Sequence, residues 1–130
     1  MPTGTLPAYL TQVKSVYAAI ARKIEELLEV LNVIEKQDPH TKALAGRITQ
    51  FLKQLESAIL REGVLARDLP AAKKQVFLDL VHRELREIKA LEAYIALAAR
   101  RPTPELIRQV NSLYRQVERE LSEAGALAAA

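Results

Sequence analysis

A chain of 130 residues, with 19 basic against 16 acidic side chains, no cysteine, no tryptophan and one methionine, is long enough to bury one core and reads as a single domain, 1–130. The missing cysteine excludes a disulfide framework, a thiolate nucleophile and a cysteine-based metal site. No stretch approaches the roughly 20 apolar residues of a membrane span, the start at Met1 lacks the basic-then-apolar pattern of a signal peptide, and a net charge of +3 permits an anionic partner without requiring one.

The first element is announced by nine apolar residues, Leu6, Leu10, Val13, Tyr17, Ile20, Ile24, Leu27, Leu31 and Ile34, spaced alternately four and three apart. That spacing keeps all of them on one stripe of an α-helix, and the stripe needs a partner surface. The pattern predicts a helix over 6–37, with Thr5 as N-cap and Pro2 and Pro7 bracketing its entry. Its length, roughly 45 Å at about 1.5 Å per residue, exceeds what a small core needs, so the stripe is read as a seam for self-association.

Asp38 and Pro39 then give an N-cap followed by proline at the first helical position. They open a second helix over 39–62 with the stripe Leu44, Ile48, Phe51, Leu55, Ala58 and a C-terminal cap at Gly63. Asp68, Leu69 and Pro70 introduce a third helix over 70–100. Its main face carries Val76, Phe77, Leu80, Ile88, Leu91 and Ile95, while Leu78, Leu85 and Leu97 point elsewhere. A helix apolar on more than one side touches more than one neighbour, and other subunits are candidates. The stiff corner from Arg100 to Pro104 leads into a fourth helix over 104–124, striped by Leu106, Val110, Leu113, Val117 and Leu121 and capped at Gly125. The expected fold is all-α: four long amphipathic helices on short proline-marked loops. They form a bundle, or extended hairpins packed against neighbouring subunits.

Little in the chain suggests catalysis. His40 sits in the first turn of helix two. Asp79 and His82 have the carboxylate–histidine spacing of bundle di-metal sites, but such sites need two of these motifs, and His82 falls on a polar face. Glu84, between Leu80 and Ile88, lies in the middle of an apolar face; burying a lone carboxylate is costly, so it should meet a cation or lie at a rim. There is no phosphate-cradling glycine loop, no nucleophile arrangement and no convergence of carboxylates. No metal, cofactor, small-molecule substrate or enzymatic activity is expected.

The cations are better organised. Arg108, Arg115 and Arg119 recur at seven and four, opposite the apolar stripe of helix four. On helix three His82, Arg86, Lys89 and Arg100 form a comparable line, with Arg83 adjacent, and Lys73, Lys74 and Arg100, Arg101 mark its two ends. Such lines track a phosphate backbone without reading bases; they also suit a plain solvated face. Aromatic residues do not interleave with them, which argues against a single-strand reader.

In size, helical build, proline-marked N-terminal segment, Arg/Lys lines and a composition suited to heat (two Asn beside many Glu, Lys and Arg), the chain resembles the major coat proteins of filamentous and rod-shaped viruses of hyperthermophilic archaea. The resemblance rests on no motif, so it transfers no residue. It implies related helical subunits that pair, wrap double-stranded DNA in A-form and stack into a filament, which would place the protein in a virion. Two other readings stay open: a cytoplasmic helical-bundle dimerisation or scaffold module without nucleic acid, and the small helical subunit of an RNA-guided complex.

Overall fold

The computed structural model describes residues 2–33 and 39–129. Four helices follow one another, α1 (Pro2–Val33), α2 (Pro39–Leu65), α3 (Ala71–Arg100) and α4 (Pro104–Ala129), with a short 3₁₀ turn at Ala66–Asp68 between α2 and α3. There is no strand among the described residues, and none of their helices is long and apolar enough to cross a membrane.

Each helix packs against its sequence neighbour, and α1 also packs against α4, which closes a ring of four. The pairs run antiparallel. Tyr9 of α1 donates to the Ala58 carbonyl of α2 at 2.9 Å, Gly63 of α2 lies against Leu78 of α3, and Gln116 of α4 donates to Glu87 of α3 at 2.7 Å. The Tyr17 hydroxyl donates to the Tyr114 carbonyl and ties α1 to α4.

The stripe of α1 has its partner inside the chain. From Leu6 to Leu31 every one of its members is buried in the core shared by all four helices; Ile34, Asp38 and the connection around them lie outside the described residues. The expected self-association seam is therefore an intramolecular one, because α2 and α4 cover the same stripe that a second molecule would need. The breadth of α3 has the same explanation. It sits between α2 and α4, with Leu78 and Leu85 on its flanks packed inward, while Leu97 is exposed. Val76, expected on its main face, is exposed too, since Phe77, Leu80 and Val81 set the centre of that face.

The helix ends differ from the sequence expectation in three places. α1 runs back to Pro2, so Thr5 is a helical residue and not a cap. Pro7 lies within it and costs one backbone bond near the start, where few bonds exist to lose. Gly63 and Gly125 do not end their helices, which continue to Leu65 and Ala129. No described glycine has a positive φ, so the left-handed cap that would stop the helix is not formed. At α4 the expected signal works: the Thr103 hydroxyl accepts from the Leu106 N–H at 3.2 Å, and Pro104 takes the first helical position.

Candidate functional site

Ten Lys and Arg residues, eleven cations with His82, mark the lines expected from the sequence. Arg83, Arg86, Lys89, Arg100, Arg101, Arg108, Arg115, Arg119 and His82 are exposed, and Lys73 and Lys74 are half-buried. The Gln116–Glu87 bond sets α3 against α4, so Arg83 and Arg86 stand near the level of Arg119 and Arg115. The Arg115 guanidinium lies 5.8 Å from the centre of the Tyr114 ring, a distance suited to a cation–π contact.

The line read along α3 divides in the structure. Arg83 and Arg86 act on Glu87, whose carboxylate accepts from α4. Lys89 acts instead on Glu92, which is hydrogen-bonded to Glu56 of α2, and Arg100 borders α2 beside Lys42, Gly46 and Thr49. Arg83, Arg86, Arg108, Arg115 and Arg119 thus belong to the α3–α4 layer, whereas Lys89 and Arg100 lean to the α2 side. The spacing of cations along one helix carries no information about which neighbour lies to its left or right.

Beneath this layer the core holds carboxylates. Glu62 of α2, Glu84 of α3 and Glu120 of α4 are 0%, 0% and 4% exposed, and none of their oxygens has a hydrogen-bond partner. The Glu84 carboxyl is pushed up to about 9, chiefly by burial and then by the charges of Glu62, Glu120 and Glu87, with Arg83 opposing. Burial alone lifts Glu62 to about 8. Glu87 reaches about 8 through burial and the neighbouring Glu120 carboxylate, against Arg83 and Arg86. Glu92 reaches about 7 through burial and its hydrogen bond with Glu56. From α1, Tyr9 faces Glu62 and Arg61, and the Tyr17 phenol, raised first by burial, faces Glu118 and Glu87.

Two sequence expectations change here. Glu84 meets no cation in hydrogen-bond reach; it meets two further acids. Carboxylates do converge, from three helices. Glu62 and Glu120 were missed although each continues the stripe of its helix, three residues after Ile59 and Val117. The presumed cap at Gly63 hid the first. Asp79 and His82 are both exposed, and Asp79 accepts from Gln75 at 3.1 Å. Among the described residues no group of three or more His, Asp or Glu is arranged to hold a metal ion.

On the opposite side of the ring, α1 and α2 border an apolar groove of about 440 Å³, with Tyr9, Gln12, Val16, Phe51, Gln54 and Ala58 in its walls. Val16 and Phe51 are exposed there.

These features define an antiparallel four-helix bundle with an arginine-bearing outer layer and an acid-laced interior. No family model matches the chain, and neither a curated protein nor a solved structure matches it.

Proposed function

We propose that this is a non-enzymatic bundle protein that binds the backbone of duplex nucleic acid, in many copies laid along it, through the outer face of α3 and α4.

 The observation that carries this reading is the set of exposed arginines on two adjoining helices, Arg83 and Arg86 beside Arg108, Arg115 and Arg119. Arginine suits the task because its planar fork grips phosphate oxygens in pairs. The small net charge does not weigh against it. With Glu62 and Glu84 held neutral in the core, 14 of the 16 acids remain to offset 19 basic residues. Contacts of this kind carry no base information, so recognition rests on backbone and shape. The coat of a filamentous virion is the setting that the resemblance in size and helical build suggests.

The test is the salt dependence of duplex DNA binding. Each phosphate contact releases counterions and contributes about −0.9 to the log–log salt slope. Replacing Arg115 and Arg119 together by Gln should flatten the slope by roughly two units per subunit and leave helix content unchanged. Replacing Arg22 and Lys23 of α1 removes the same charge and should matter much less. Equal losses in the two variants, or no duplex binding by the unmodified protein at moderate salt, overturn the reading. The second reading, a bundle module that docks another protein and no nucleic acid, is favoured by the apolar groove between α1 and α2 and becomes the better one if duplex binding fails.

A further inference from the structure

We propose that the bundle is locked by protons: Glu62 and Glu84 enter the core as neutral carboxylic acids, and removing those protons loosens α3 from α2 and α4. The geometry carries this. Three carboxyl groups, one from each of three neighbouring helices, are out of water with no hydrogen-bond partner on any oxygen. An ionised carboxylate in that position has given up its hydration and received nothing for it, whereas a neutral acid forfeits far less. Ionisation would also set like charges on α2, α3 and α4 against one another, with α3 in the middle.

The groups facing the acids do not relieve them. On α3 itself Arg83 favours the charged form of Glu84, but Glu87 opposes it, as do Glu62 from α2 and Glu120 from α4. Towards Glu87, Arg83 and Arg86 pull against Glu120. The groups facing from α1 are phenols, Tyr9 near Glu62 and Tyr17 near Glu87, and neither supplies positive charge; Arg61 stands near Tyr9, and Glu118 near Tyr17.

Burial holds Glu62 at about 8 and Glu84 at about 9, above an unfolded value of 4.5. The folded state therefore keeps protons that the unfolded chain releases. The stability those protons confer is complete below the unfolded value and is lost as pH climbs through the raised ones. Each retained proton makes the unfolding constant rise about tenfold per pH unit across that window.

Urea unfolding of the full chain from about pH 5 to about pH 8 tests the lock. With Glu62 and Glu84 both retaining protons, the unfolding constant should rise at least about a hundredfold per pH unit. In E84Q, which keeps the shape of the neutral acid, the rise per pH unit should be about tenfold smaller than in the parent, with little change near pH 5. A wild-type stability that is flat or increases with pH overturns the proposal. So does an E84Q effect of equal size at both ends of the range, which is what a purely structural role predicts. If E84Q does not fold, the wild-type profile and the same measurement on E62Q decide the matter. A midpoint raised at alkaline pH by manganese chloride, and not raised in E84Q, would assign the acids to a divalent cation and overturn the proton lock; no such rise supports it.

Discussion

The two ends of the bundle are built on opposite principles. At the end where α1 meets the start of α2, the interior is aliphatic apart from the Thr41 hydroxyl: Ile24, Leu27, Ile48, Leu52, Leu91 and Ile95 are fully buried and have no polar atom to satisfy. At the other end the same layers continue through Leu6, Leu10, Ile59, Phe77 and Leu80, but three helices each replace one apolar position with glutamate. The contrast teaches that one hydrophobic pattern can hold a fold together in two ways. The aliphatic end is indifferent to solution conditions, while the acid end holds only as long as Glu62 and Glu84 stay neutral.

The largest effect expected from this comparison is at the aliphatic end. Ile24→Ala or Leu91→Ala should cost about 2–5 kcal/mol in urea unfolding, through lost transfer energy and the cavity left behind. That cost should be the same near pH 5 and pH 8; a strongly pH-dependent loss would erase the distinction between the ends. Glu62→Gln should do the reverse. It removes one retained proton, so the pH slope of stability should flatten by about 1.4 kcal/mol per pH unit, making the variant more stable than the parent at alkaline pH and nearly equal to it below the unfolded value of 4.5. An unchanged slope would return Glu62 to the status of an ordinary core residue.

A third variant probes the level between the two ends. Tyr17→Phe strips the hydroxyl that serves the Tyr114 carbonyl and should cost about 1–3 kcal/mol, read as a shift of the urea midpoint. The smallest expected change is a gain. Gly46 lies exposed inside α2, and a Cβ there would meet nothing within 4 Å. Gly46→Ala should therefore stabilise the protein by about 0.5–1 kcal/mol, visible as a small rise in melting temperature.

The four helices are legible in the sequence because the three–four spacing of Leu, Ile and Val has no β-type competitor and the prolines mark the boundaries. The ends are less so. Gly63 and Gly125 read as stops, yet glycine stops a helix only when it adopts a left-handed conformation, and the packing of the flanking turns decides that. Whether the α1 stripe serves one molecule or two is equally hidden, since an amphipathic face specifies that a partner exists and not which one. Glu84 stands out as an acid in an apolar stripe. Its company does not, because bringing Glu62 and Glu120 beside it depends on the register of three helices, which is set by loops and by contacts such as Gln116 with Glu87.

The Tyr17–Tyr114 bond joins residues 97 positions apart, and this has a kinetic meaning. The pairs α2–α3 and α3–α4 can form as local hairpins, each closing a short loop. Docking α1 onto α4 must bring together opposite ends of the chain and carries the largest loss of chain entropy. That docking is expected to come late, so the α1–α4 contact governs how fast the finished bundle comes apart more than how fast it forms.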